Sequence, residues 1–492
     1  MLRRLIAPRV AALLIGGLSL SLLALPAMAA GFANLERMTE QGFLISAEAR
    51  LLDGNGELLG AIAPERQLSP ASVSKIYLAA AALDRWGPQH RFTSELKSAA
   101  EIDADGVLQG DLIFEGGGDP ALVSEELWKL VQLLRQRGIR SINGQLVVSQ
   151  WRFGPVACVT RDRCETVERS ANTYSALLSS AGVNYGSWCM NVHPAASVGD
   201  SARVLSCDTV EPVIGINNQV TTVAAGNTTE LNAERVTDGS GDTMILRGQI
   251  AANAHPREVY RASSDPASQT AQTLLALFAQ AGIEVGGDAA GVPYVTSTEE
   301  PNGAARRLAA VDGKPLQELV LRTMNYSNNF MADVLNLGLV PTAQTSLEEA
   351  AQALEAYVTA IPGHGPVTLH SGSGLTTTNR TSAAGVNAML EYAYQRPALF
   401  PHLLASMQTP VNGPSRFIRR GSERFQNNVM LKTGTLNQPF AVRSVGGYFR
   451  TDSGRWGVFT ALVNGTSSTP WLNWTQVLDP LAEDLDAMIR DH

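Results

Sequence analysis

The chain has 492 residues, of which 45% are apolar and 17% charged, and a formal net charge of −8. That composition excludes a disordered chain, and the length exceeds one compact core, so two or three domains are expected. The acidic balance, with no basic run, argues against nucleic acid as a partner, because its phosphates would be repelled.

The first thirty residues read differently from the rest. Arg3, Arg4 and Arg9 precede an apolar run from Val10 to Leu25, and Ala27-Met28-Ala29 offers small residues for cleavage. Residues 1–29 therefore read as a secretory signal peptide. The apolar run is short for a bilayer span, and no later stretch is long enough, so membrane association is expected to be peripheral at most. Removing residues 1–29 takes away three arginines and no acids, which moves the net charge from −8 to −11.

Phe43–Leu52 and Glu57–Ala63 are strand-like runs around the turn Asp53-Gly54-Asn55-Gly56. Val73–Trp86, rich in Ala and Leu, follows Pro70 and ends at Gly87-Pro88, which predicts a buried helix. From about 92 to 300 the pattern shifts to short strands and Gly-rich turns, with helices over Glu125–Arg137 and Pro266–Ala281. Gly116-Gly117-Gly118 lacks the Lys-Ser/Thr of a phosphate loop and reads as a tight turn. Helices return at Pro315–Met324 and Phe330–Leu339, broken by Tyr326-Ser327-Asn328-Asn329, and again at 345–360 and 382–395. Three strands follow, at Asn428–Leu436, Val442–Arg450 and Gly457–Val463, and a helix over Trp474–Ile489 closes the chain. This order predicts an α+β fold whose antiparallel sheet draws strands from both chain ends and is covered by helices.

Cys158, Cys164, Cys189 and Cys207 are the four cysteines. An even count in an exported chain favours two disulfides. Three pairings are open, and sequence proximity favours Cys158–Cys164 with Cys189–Cys207. All four fall within one short window, so they are expected to brace a subdomain rather than the active site. With no Cys-x-x-Cys and no clustered His, no metal is expected, and nothing calls for a cofactor.

Lysine usage is informative. Of 38 basic residues only five are Lys: Lys75, Lys97, Lys129, Lys314 and Lys432. What Lys can do and Arg effectively cannot is lose its proton when desolvated or set beside another cation. Lys75 lies three residues after Ser72 on the expected helix, a spacing that puts both on one face. A neutral lysine there would take the serine proton and make Ser72 a nucleophile. Ser94-Glu95-Leu96-Lys97 has the same spacing, but it sits in a strand-like stretch where a three-residue step points to opposite faces. Ser327-Asn328-Asn329 breaks a helix, a suitable place to present polar groups to a cleft. Lys432-Thr433-Gly434 lies on a strand with Thr435 after it, and Gly434 would leave room for a substrate backbone.

The ordered set Ser-x-x-Lys, Ser-x-Asn, Lys-Thr-Gly resembles the signature of penicillin-binding proteins and serine β-lactamases. The long insert between the first two motifs, Gly116-Gly117-Gly118-Asp119-Pro120 and Ser371-Gly372-Ser373-Gly374-Leu375 narrow the resemblance. They point to the D-Ala-D-Ala carboxypeptidase/endopeptidase family of class C penicillin-binding proteins (the PBP4-like, peptidase S13 group), over nearly the whole mature chain. Two departures are visible: Ser371 stands where the family usually has Asp, and Thr409–Arg420 matches the usual approach to the third motif only loosely.

The resemblance implies a penicillin-binding domain from 30–95 and 300–492, with 96–299 inserted as one or two further units. It implies a periplasmic hydrolase that cuts D-alanyl bonds in peptidoglycan stem peptides and cross-links and is acylated by β-lactams. Ser72 would attack and Lys75 act as its base, while Ser327 would relay a proton to the leaving amine. Asn329 would orient the peptide, and Lys432, Thr433, Gly434 and Thr435 would bind around the terminal carboxylate. The backbone N–H groups of Ser72 and Thr435 would form the oxyanion hole. Rival readings are weaker. A class A β-lactamase needs a deacylating Glu that nothing here identifies, and a Ser-His-Asp enzyme of the α/β-hydrolase type needs a Gly-x-Ser-x-Gly elbow that is missing. A non-catalytic peptidoglycan-binding protein would not need three intact motifs.

Overall fold

A computed structural model of the protein describes residues 31–54, 56–158, 163–164, 172–239 and 241–492. The leader expected at 1–29 lies outside them. Five antiparallel strands form the central sheet, in the order Val429–Leu436, Val442–Arg450, Trp456–Asn464, Leu44–Leu51, Leu58–Ile62. The two chain ends thus share one sheet, with Leu44 opposite Asn464 and Leu51 opposite Gly457.

Alternation along the strands decides which helices cover each face. Ile45, Ala47, Ala49 and Leu51 turn toward one side, together with Phe459, Ala461 and Val463. There they pack on Leu478, Leu481 and Leu485 of the closing helix Trp474–Asp491 and on Leu35 of a short helix, Ala33–Glu40, that the sequence reading did not anticipate. The opposite face carries Ser46, Glu48 and Thr460 against the helix Ala383–Tyr394, where Asn387 bonds the Glu48 carboxylate at 3.0 Å and receives the Thr460 hydroxyl at 2.8 Å.

The helix Lys75–Trp86 runs through the second core with every residue from Lys75 to Leu83 buried. Its alanine run, Ala79 to Ala82, lets the helices Leu316–Asn325, Asn329–Gly338 and Leu347–Thr359 crowd around it. Ser72 itself is not α-helical: it lies in a 3-10 turn, Ala71–Ser74, that leads into the helix.

The intervening chain builds its own sheets. One has five strands in the order Tyr294–Ser297, Leu146–Ser149, Leu112–Glu115, Thr93–Ser98, Arg306–Asp312, packed on the helices Ser124–Gln136 and Pro266–Gln280. Its edge strand Arg306–Asp312 pairs with the neighbouring Thr93–Ser98 where the chain crosses between the regions. Two three-stranded sheets enclose a separate apolar cluster around Trp188, Met244 and Leu246.

Candidate active site

From Leu68 to Leu83 every residue is buried except Ser72. The tight turn at Ala71, whose φ is +46°, lifts that one side chain into a cleft. The Lys75 amine sits 2.9 Å from the Ser72 hydroxyl, 2.7 Å from the Asn329 side-chain oxygen and 2.5 Å from the Ser373 carbonyl. The Asn329 orientation is set by its other end, which donates to the Tyr174 carbonyl at 2.8 Å.

The Lys75 amine donates to the Asn329 side-chain oxygen and the Ser373 carbonyl, two partners that can only accept, and its third contact is the Ser72 hydroxyl. Burial, with the nearby Lys432 cation adding to it, holds the Lys75 pKa well below the usual lysine value.

Ser327 occupies the break between two helices, with a φ of +52° that few non-glycine residues adopt. Asn328 next to it caps the following helix by accepting from the Met331 N–H at 2.9 Å, which fixes where that helix begins. The result places Ser327 and Asn329 on either side of the cap, both facing the cleft. The buried Lys432 donates to the Ser327 hydroxyl at 2.9 Å, and burial lowers its pKa to about 7.

Lys432 lies on Val429–Leu436, the edge strand of the sheet. Gln408 bridges that edge at Leu431, and past it Thr433 and Thr435 line the cleft. Thr435 is exposed. The space in front of Gly434 is not left for substrate. A Cβ there would stand 2.5 Å from the Pro70 carbonyl oxygen and 2.9 Å from the Ser72 nitrogen, so the glycine admits the protein's own Ala71–Ser74 turn. The second Ser-x-x-Lys match behaves as its strand predicts: Ser94 donates to the Gly116 carbonyl, while Lys97 pairs with Glu95 and Glu115.

Three contributors escaped the sequence reading. Ser373 acts through its carbonyl, which no side-chain pattern reveals. Asp333 lies behind it, one helical turn past Asn329, and accepts from the Ser371 hydroxyl at 3.1 Å and the Ser373 N–H at 2.9 Å. Arg163 donates to the other Asp333 oxygen at 2.6 Å, and both side chains are almost fully buried. A signal for Asp333 existed: it is the one charged residue in the apolar run Phe330–Leu339, and a buried carboxylate needs partners.

The disulfides are Cys158–Cys164 and Cys189–Cys207, as sequence proximity favours. The expectation that they stand apart from the active site fails. Arg163 sits inside the first loop, and Cys189 and Cys207 line a groove that shares Ser327 and Asn329 with the cleft.

An antiparallel sheet fed from both termini, a 3-10 turn carrying Ser72 that leads into a buried helix starting at Lys75, and an edge strand carrying Lys432 define the active-site-serine class of penicillin-binding folds. The chain matches the D-Ala-D-Ala carboxypeptidase 3 (S13) family over residues 47–485 and belongs to that family of serine-type hydrolases. A D-alanyl-D-alanine carboxypeptidase of Actinomadura sp. (strain R39) is 28% identical over 424 residues, covering 82% of this chain and 74% of the relative. The D-alanyl-D-alanine carboxypeptidase DacB of Haemophilus influenzae is 24% identical, covering 81% of each. The crystal structure of penicillin binding protein 4 from Haemophilus influenzae superposes with a TM-score of 0.73 at 20% identity, covering 93% of this chain and 99% of that one. Among the described residues no helix is long and apolar enough to cross a membrane.

Proposed function

We propose that the protein hydrolyses D-alanyl-D-alanine bonds of peptidoglycan, as carboxypeptidase and as endopeptidase, through an acyl-enzyme on Ser72. The observation that carries this reading is the 2.9 Å contact between the buried Lys75 amine and the hydroxyl of Ser72, the one side chain of its turn and helix start that reaches the cleft.

Ser72 Oγ attacks the carbonyl carbon between the two D-alanines and passes its proton to Lys75. The negative oxygen faces the backbone N–H groups of Ser72 and Thr435. When the C–N bond breaks, the proton held by Lys75 passes through Ser327, whose hydroxyl accepts from Lys432 at 2.9 Å, to the leaving amine, which returns Lys75 to its neutral form. Water then attacks the ester as Lys75 takes its proton, and that proton goes to Ser72 Oγ when the ester C–O bond breaks. Thr433 and Thr435, with the Lys432 charge, receive the terminal carboxylate, and Asn329 orients the peptide. The groove beyond Ser327 and Asn329, lined by Tyr174, Tyr185 and Tyr260, continues the cleft and offers room for a cross-linked strand. A β-lactam places its strained carbonyl at the same carbon and stays on Ser72. A leader at 1–29 and two disulfides fit work in the oxidising periplasm.

Labelling by a fluorescent penicillin tests the assignment. Label is expected on the wild-type chain and on Ser94→Ala, and none on Ser72→Ala. A folded wild-type chain that takes no label overturns the catalytic reading in favour of a peptidoglycan-binding protein.

A further inference from the structure

The arginine and carboxylate behind Lys75 stand in an arrangement whose charge balance matters. Asp333 fastens the Ser371–Ser373 loop by two hydrogen bonds, and the carbonyl of that loop is what Lys75 donates to. The carboxylate therefore positions the general base at one remove. A carboxylate is also the worst neighbour for a lysine that has to be neutral, because a nearby negative charge favours the protonated amine. Asp333 acts on Lys75 in that direction, and Arg163 acts in the opposite one.

We propose that Arg163 is a positioning residue for acylation: its guanidinium neutralises Asp333, which can then anchor the Lys75-binding loop without holding a proton on the amine. The inference rests on Lys75 being the base for Ser72. Its geometry is specific. Arg163 spends one arm on Asp333 at 2.6 Å and the other on the carbonyl of Ala176. Ala176 follows the turn Thr173–Ser175, whose Tyr174 carbonyl receives the amide of Asn329. One side chain thus ties the Cys158–Cys164 loop to the helix that carries Asn329 and Asp333 and to the segment that orients Asn329. With both ion-pair partners almost fully buried, neither charge is screened by water.

The charged groups facing Lys75 are Lys432 from the edge strand, Asp333 from the helix after Ser327, and Arg163 from the disulfide loop. On the other side of the helix Lys75–Trp86, His364 touches the Tyr77 hydroxyl at 2.9 Å, and burial lowers its pKa from the ordinary imidazole value. Among the described residues Arg163 is thus the cation that offsets Asp333 throughout the range from pH 5 to 9, because Lys432, with a pKa of about 7, loses its charge within it. Removing Arg163 leaves Asp333 unopposed once Lys432 is neutral.

The test is the rate of acylation by a fluorescent penicillin between pH 5 and 9, on the full chain. Arg163→Gln is expected to move the acid limb of the profile upward by about one pH unit, roughly a tenfold loss of rate at any pH on that limb. At alkaline pH its rate is expected to approach wild type. Arg163→Lys keeps the charge and is expected to keep the limb. Adding Asp333→Asn to Arg163→Gln removes the unpaired carboxylate while keeping an acceptor for Ser371, and is expected to return the limb toward wild type. That double variant leaves no lone buried charge, so it serves where Arg163→Gln alone fails to fold. A rate lowered equally at every pH, or a double variant whose limb stays displaced, overturns the proposal and leaves Arg163 a structural residue. If wild type and Ser72→Ala label alike, the nucleophile assignment fails and the inference with it.

Discussion

Lys432 shows what burial does to a single cation. Its pKa falls to about 7 from 10.5, so between those values the unfolded chain binds more protons than the folded one and stability rises with pH. Below about pH 7 the full cost is present, and above 10.5 none of it remains. Lys432→Met is therefore expected to stabilise the protein against urea by up to about 5 kcal/mol at pH 6, the gain fading toward pH 10. A gain that does not vary with pH would show that the amine is not depressed. Ser72, Lys75, Ser327, Asn329 and Lys432 were legible because each lies in a short motif whose chemistry depends on side chains close in sequence. Arg163 was not, since its partner lies 170 positions away and nothing local distinguishes it from a surface arginine.

At the scale of elements, the contact between the edge strand and the Ala71–Ser74 turn carries the geometry. Gly434 lets two backbones meet, and the obstacle to a Cβ is a carbonyl oxygen and two amide nitrogens rather than a side chain that could rotate away. Gly434→Ala is accordingly expected to cost about 1–3 kcal/mol. It is also expected to slow penicillin labelling at least tenfold with Ser72 intact; an unchanged labelling rate would show that the strand is not pinned at that point. The strands themselves were readable from alternation to within a residue or two, because each has a patterned face. Two features were not. The 3-10 turn under Ser72 follows from tertiary packing around Ala71, and the helices Ala33–Glu40 and Phe400–Ser406 are too short to show a clear period.

Across the whole molecule, the chain between Ser98 and Arg306 reaches the candidate site through Arg163, which pairs with Asp333, and through the Tyr174 carbonyl, which accepts from Asn329. Pairing of the cysteines was legible from their spacing, but their reach toward the cleft was not, because a loop's destination depends on contacts distant in sequence. This separates two kinds of change in the insert. Replacing Cys158 and Cys164 together by Ala releases the loop that presents Arg163, and is expected to slow acylation with the acid limb displaced upward. Asp265→Ala removes the cap that accepts from the Ala267 and Ser268 N–H groups at the start of Pro266–Gln280. It is expected to cost about 1 kcal/mol of stability and leave the acylation profile unchanged. Equal effects of the two changes on the profile would mean that the insert acts on the site only through global stability.

The sharing of one sheet by both chain ends also orders events during synthesis. Ser72 and Lys75 are made early, but the strand that carries Lys432, and the two that join it to Leu44–Leu51, are among the last to leave the ribosome. A chain interrupted before Val429 has Ser72 and Lys75 in hand but lacks the strand that carries Lys432 and three of the five strands of the central sheet. The proposed activity is therefore expected only of a chain whose last strands are in place.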